Sequence, residues 1–131
     1  MELSQLKELI YNFSESNLKY LELIGLDINL WNIYRDTLAS IESAGSGNYR
    51  ALGGYQNNYD GRYQLGSLAK KDAARILGID SLGDDEISRY LFRNNPQLQE
   101  DYLIGFTYAN HSYLISANNI YQNLSLNKKL E

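Results

Sequence analysis

Residues 41–47 read Ile-Glu-Ser-Ala-Gly-Ser-Gly, and Tyr-Asp-Gly-Arg-Tyr-Gln follows at residues 59–64. Glu42 stands at the end of a segment whose apolar residues recur at three- and four-residue steps, which is the spacing of a helix face. Glycines follow at once, and glycine after an apolar period is a helix-stop signal. The order predicts a helix ending in a carboxylate, then a glycine-rich loop, then a Gly-x-x-Gln element.

Three helices are predicted before these glycines. The first carries a stripe of Leu, Ile and Phe within residues 3–13, and the second begins at Asn17 and stops at Gly25. The third begins near Asp27 and ends at Glu42, with Gly45 and Gly47 just beyond its end. Its predicted buried stripe contains Leu30, Ile33, Tyr34, Leu38 and Ile41. That stripe places Ile41 on the buried side and Glu42 beside it.

The chain changes character over residues 45–66. Six glycines, several Asn and Tyr, and the absence of a helical period predict loop with short strands. Asp60-Gly61 is a favoured hairpin dipeptide. We therefore expect a small β-hairpin or an irregular β-like flap around residues 48–65.

Helix is predicted again for the rest of the chain. One helix begins near Ser67 and stops at Gly78, and Asp84 or Asp85 caps a short one. Asn95-Pro96 is a strong start signal for a last helix of about thirty residues, for which we expect a break near Asn110 or Asn118-Asn119. The predicted fold class is therefore mainly α, in the α+β sense: a single helical domain with one small β-like insertion.

Composition limits the classes of function. The 131 residues are 44% hydrophobic and 21% charged, as in ordinary globular domains, and contain no cysteine for disulfides or thiolate sites. The net charge of −4 argues against nucleic acid as the main partner. Residues 47–75 are nevertheless locally basic, and this charge fits either the binding of an anionic polymer or an ordinary solvated surface. No apolar run has the length of a membrane span, and no signal peptide is expected. The single histidine, His111, excludes a multi-histidine metal site, and we expect no metal.

Glu42-Ser43, the glycine-rich exit and the element from Gly61 to Gln64 resemble the lysozyme-like superfamily of lysozymes and lytic transglycosylases. The resemblance implies a lysozyme-like catalytic domain over residues 27–131, with residues 1–26 as an accessory helical segment. It implies cleavage of the β-1,4 bond between N-acetylmuramic acid and N-acetylglucosamine in peptidoglycan, without a cofactor. We then expect the protein to be delivered from the cytoplasm to the cell wall by lysis, a virion or a secretion system. We also expect it to be part of a larger phage or secreted assembly.

The resemblance also implies which residues form the site. Glu42 is the general acid, and residues 106–110, Phe-Thr-Tyr-Ala-Asn, are similar to the helix that closes the cleft in many transglycosylases. The residues expected to bind the glycan are Ser43, Tyr59, Tyr63, Gln64, Tyr108 and Asn110. Tyrosines in the flap suit sugar rings, and they equally suit strand propensity.

The chemistry requires a carboxylic acid that stays protonated near neutral pH. Burial raises the pKa of a carboxyl because it disfavours the charged form, and Glu42 is expected to be buried beside Ile41. Asp60 is a candidate second carboxylate that stabilises or attacks the sugar cation, or activates water. It lies one residue nearer the glycine than in animal lysozymes, so an Asp-Gly turn residue is an equal interpretation. Other functions stay open: a non-catalytic glycan- or protein-binding module, or a glycosidase acting on chitin or chitosan.

Overall fold

The computed structural model describes residues 17–43, 49–54, 56 and 58–129, with residues 113–129 as backbone only. Its elements in chain order are α1 (Leu18–Leu23), α2 (Ile28–Glu42), β1 (Leu52–Gly53), β2 (Tyr59–Asp60), α3 (Ser67–Leu77), α4 (Glu86–Arg93) and α5 (Pro96–Lys129). This mainly helical chain with one small antiparallel sheet confirms the predicted fold class. Within the described ranges, no helix combines the length and the apolar composition that a membrane span requires.

Local signals in the sequence position the helix ends. Side-chain oxygens of Asp27, Asp85 and Asn95 accept hydrogen bonds from the amides of Leu30, Ser88 and Leu98, at 2.8, 3.2 and 3.1 Å. Each bond satisfies an amide in the first turn that has no partner within the helix. Gly78 ends α3 in the left-handed conformation, with φ of 70°. These predicted starts and the stop at Gly78 are confirmed, whereas Gly45 and Gly47 lie outside the described residues, as does the predicted first helix.

The last helix differs from its prediction, because α5 continues without a break from Pro96 to Lys129. Asparagine within a helix costs at most about 0.7 kcal/mol relative to alanine. A cost of this size does not by itself end a helix.

The predicted buried stripe of α2 is wrong. Ile33 and Ile41 are 65% and 70% exposed, and the buried residues are instead Trp31, Arg35 and Ala39. These three repeat at four-residue steps and form one face of the helix. Arg35, a charged residue, occupies the middle of that face. A pattern of apolar residues alone therefore predicts that the neighbouring side of the helix is buried.

The core joins helices α1 to α5 through one cluster of buried side chains. It contains Leu21, Trp31, Ala39, Tyr63, Leu65, Ala73, Ala74, Phe92, Tyr102, Leu103 and Ile104. Gly105 allows α5 to approach α3 closely, since a Cβ there would lie 2.9 Å from the carbonyl oxygen of Ala73. The Tyr20 hydroxyl donates to the carbonyl of Ile76 at 2.8 Å. The described part of residues 1–26 therefore packs into the same core as residues 27–131.

A hairpin and a second turn form the flap. Leu52 of β1 pairs with Asp60 of β2, and Asp60 then exchanges two backbone hydrogen bonds with Leu65, at 3.1 and 3.0 Å. The turn between them spans residues 61–64 and begins at Gly61 with φ of 86°. The Asp60-Gly61 dipeptide is therefore a turn element, as its composition predicts.

Gly61 is expected to tolerate alanine worse than Gly25 does, although both have a positive φ. A Cβ at Gly61 would overlap the side-chain amide of Gln99, whereas Gly25, with φ of 77°, has no atom within 4 Å of its Cβ position. Both substitutions incur backbone strain of about 1–3 kcal/mol. Overpacking adds about 1–3 kcal/mol at Gly61 alone. Urea unfolding of Gly61→Ala and Gly25→Ala measures the difference, and equal losses would show that Gln99 moves aside freely.

Candidate functional site

A cleft of about 440 Å³ opens between the end of α2 and the flap. We call it the Glu42 cleft. Its walls carry Glu42 and Leu38 from α2, Tyr59, Tyr63 and Gln64 from the flap, and Phe106 from α5. The cleft therefore brings together four residues that the sequence analysis selects, Glu42, Tyr59, Tyr63 and Gln64, and does not include Ser43, Asp60, Tyr108 or Asn110.

Glu42 is the last residue of α2 and its side chain is exposed. The expected burial beside Ile41 is wrong, because Ile41 itself points to solvent. Apolar side chains of Leu38, Leu103 and Phe106 nevertheless line the same cleft. A ligand that fills the cleft would therefore take the carboxyl group out of water and place it against an apolar wall.

Gln64 is held in a restricted geometry. Its φ of 52° lies in the left-handed region, which residues other than glycine seldom adopt. Its side-chain amide donates to the carbonyl of Gly61 at 3.0 Å. The amide oxygen lies so close to Gly53 that a Cβ there would be 2.8 Å away. The turn therefore presents a fixed amide to the cleft, and backbone strain of this kind concentrates at functional sites.

Tyr59 separates the Glu42 cleft from a second cavity. The Tyr59 ring lies against Gly54 and Gly66. A Cβ at Gly54 would overlap this ring, and a Cβ at Gly66 would press on it. The second cavity, of about 460 Å³, shares Tyr59 and Gly66 with the cleft and is also lined by Ser67 and Asp84. The hydroxyl of Ser67 donates to Asp84 at 2.8 Å. Two glycines thus provide the space in which an aromatic ring forms a wall common to both cavities.

Glu100 is the centre of a buried network that the sequence analysis does not find. The Tyr63 hydroxyl lies 2.6 and 2.8 Å from its two carboxylate oxygens. The Tyr49 hydroxyl donates to it at 2.6 Å, and Arg35 of α2 donates at 3.0 Å. Burial raises the pKa of Glu100, and the charge of Arg35 with the two tyrosine hydrogen bonds only partly offsets this. Burial and the neighbouring Glu100 also raise the pKa values of both tyrosines.

Gln99, which precedes Glu100 on α5, links the flap to other parts of the chain by hydrogen bonds. Its side-chain oxygen accepts from the backbone amide of Arg62 at 3.0 Å. Its amide nitrogen donates to the carbonyls of Tyr49 and Phe92, at 3.0 and 2.8 Å. Gln99 and Glu100 stand four residues before the buried Leu103 and Ile104. Helical spacing from those apolar residues is therefore the signal that would have placed both polar side chains in the interior.

Asp60 lies in a buried cluster of charges rather than in the Glu42 cleft. Its side chain is 0% exposed and accepts from Lys70 at 2.6 Å, from Arg89 at 2.8 and 3.0 Å, and from Arg93 at 2.8 Å. Burial by itself raises the pKa of Asp60, but hydrogen bonds from Arg89, Lys70 and Arg93 outweigh it and hold that pKa below its ordinary value. This carboxylate is fully engaged in joining the flap to α3 and α4, an arrangement that favours a structural role.

The remaining predicted ligands lie elsewhere. The Ser43 hydroxyl is buried and donates to the carbonyl of Ala39 at 2.8 Å. Tyr108 packs its ring edge-on against Tyr20, with centroids 5.2 Å apart. Asn110 is exposed and does not line the cleft. Phe106 lines the cleft and Tyr108 does not, because two residues along a helix turn a side chain by about 200° to the opposite face.

The charge pattern also differs from a simple basic surface. Arg62 and Lys70, two cations of the locally basic stretch, are buried and form ion pairs with Asp36 and Asp60. In the part of the chain that the structure describes, no group of three or more His, Asp or Glu side chains is arranged to hold a metal ion.

In comparisons with known proteins, no family model matches the chain, and neither the curated proteins nor the solved structures give a significant match.

Proposed function

We propose that the protein is a glycosidase that cleaves the β-1,4 bond between N-acetylmuramic acid and N-acetylglucosamine in peptidoglycan, with Glu42 as general acid and base. One observation carries the proposal. The carboxylate at the end of α2 and the Gly-x-x-Gln element that ends at Gln64, separate in sequence, line one cleft. Aromatic and amide side chains bind sugar rings, and a carboxylic acid beside them can protonate a glycosidic oxygen.

Substrate binding would prepare Glu42 for this role. The free carboxyl is exposed, and water stabilises its charged form. A glycan strand seated against Leu38 and Phe106 would exclude that water, which disfavours the charged carboxylate. The proton would then pass to the leaving oxygen as positive charge develops on the sugar ring.

The cleft favours a mechanism with a single carboxylate. Among the described residues that line it, Glu42 is the one acidic side chain. Hydrolysing glycosidases pair two carboxyl groups about 5–9.5 Å apart, and Asp60 is occupied by three cations. In the second step, Glu42 would therefore take a proton from a hydroxyl of the substrate's own sugar, as a lytic transglycosylase does. The expected product is a fragment with a 1,6-anhydro end.

Digestion of purified peptidoglycan tests this function. We expect the wild-type protein to release soluble fragments whose masses, measured by mass spectrometry, show anhydro ends. Reducing ends would instead indicate hydrolysis by a placed water molecule. Chitin and chitosan oligomers serve as comparison substrates, and cleavage of these alone would shift the substrate class. If peptidoglycan is bound and left intact, the protein is a binding module and the proposed activity is wrong.

A further inference from the structure

We infer that Glu100 is a positioning residue for the Glu42 cleft, holding the Tyr63 wall of the flap at a fixed distance from the helix that carries Glu42. The inference rests on the proposed function and extends it to the residue that shapes the substrate site. Glu100 itself does not line the cleft and is 0% exposed, so it acts through its neighbours.

The first contact is with the flap. Both carboxylate oxygens of Glu100 lie within 2.8 Å of the Tyr63 hydroxyl, and one of them accepts from the Tyr49 hydroxyl at 2.6 Å. Tyr63 lies within the Gly-x-x-Gln element, whereas Tyr49 precedes β1. A single buried carboxylate therefore holds the flap at two points that are distant along the chain.

The second contact is with the opposite wall. Arg35 donates to Glu100 at 3.0 Å and lies on α2, two helical turns before Glu42. Glu100 is thus bonded both to the helix that ends in the proposed acid and to the turn that presents Gln64. Because charge-assisted hydrogen bonds are short and strong, this junction fixes the separation of the two walls.

The hydroxyl of Tyr63 has no freedom to leave this junction. Arg62 donates to the same oxygen, and its guanidinium lies 5.1 Å from the Tyr63 ring centroid and 5.7 Å from that of Tyr49. Tyr63 is buried, so its contribution to the cleft is ring surface rather than a free hydroxyl. Loss of the Glu100 carboxylate would release the ring and with it the shape of the site.

The test compares Glu100→Gln, Tyr63→Phe and the double variant on soluble glycan strands. Tyr63→Phe keeps the ring in the cleft and removes only its hydroxyl. Each single change is expected to raise KM by about tenfold and to change kcat by less than about threefold. A tenfold rise lies within the range of coupling energies measured between contacting residues. The double variant is expected to show no larger change than either single one, because both remove the same junction.

Arg93→Gln is the matched control. It weakens another buried ion pair, with Asp60, outside the cleft. Urea unfolding is expected to show lower stability for it with KM unchanged, which separates positioning from general destabilisation. If Glu100→Gln does not fold, Tyr63→Phe alone decides, and an unchanged KM in it overturns the inference.

The outcome also separates this inference from the proposed function. An active wild type whose KM is the same in the folded variants overturns the role of Glu100 alone. If the wild type binds glycan without cleaving it, the dissociation constant replaces KM, and the same tenfold weakening is expected. A wild type that neither cleaves nor binds overturns both.

Discussion

Glu42→Gln is expected to slow the release of fragments from peptidoglycan by about 10²–10⁴-fold, the usual contribution of a positioned general acid or base. The amide keeps the shape and polarity of the side chain at the end of α2 but has no acidic proton to donate. The cleft of the described chain offers no second carboxyl group to replace it. Initial rates of fragment release, followed by mass spectrometry, measure the effect.

The matched control is Glu22→Gln. Glu22 is also an exposed glutamate near the end of a helix, α1, but does not line the cleft. Its activity is expected to equal that of the wild type, and both variants are expected to keep the wild-type unfolding midpoint because neither carboxylate is buried. A Glu42→Gln protein that cleaves at the wild-type rate would remove Glu42 from the mechanism.

The helix boundaries are the part of the fold that local sequence predicts best. Asp27 and Asn95 begin helices, and Gly78 ends one, because each acts on backbone groups within one turn of itself. The second turn of the flap is predicted for the same reason, since Gly61 adopts the positive φ that this turn requires. These signals need no knowledge of distant residues.

The buried faces are harder to predict because charged residues complete them. Arg35 is buried through a partner 65 residues away, Glu100. Asp60 finds its three cations 10, 29 and 33 residues further along the chain. An apolar period cannot reveal such pairs, since each charge alone looks like a surface residue.

The candidate site divides in the same way. Glu42 and Gln64 line one cleft, as the order of the two motifs suggests. Tyr108 and Asn110 rest on the resemblance of a short segment, and the residue of that segment that lines the cleft is Phe106 instead. Spacing along the chain therefore finds residues on the flap, whereas the rotation of α5 depends on how the whole core packs.

Asp60→Asn is expected to lower the free energy of unfolding by about 3–5 kcal/mol at neutral pH, because removal of one partner leaves buried charges uncompensated. Lys70, Arg89 and Arg93 would lose the carboxylate on which all three converge. Urea unfolding at constant salt measures the loss. Asp36→Asn is the control, because Asp36 is 57% exposed and its pair with Arg62 is expected to contribute less than about 1 kcal/mol.

The pH dependence of this difference identifies its cause. The pKa of Asp60 is lowered in the folded protein, so the folded state binds the proton more weakly than the unfolded chain, in which an aspartate titrates near about 3.9. Its stabilising contribution is therefore complete above that value and is lost as the pH falls through the folded pKa. The stability gap between wild type and Asp60→Asn should begin to narrow below about pH 4, where the unfolded chain takes up the proton. It should close as the pH falls through the lower folded pKa, because the protonated Asp60 then resembles the amide. A gap of constant size in acid would show that the shape of the side chain, rather than its charge, holds the flap against α3 and α4.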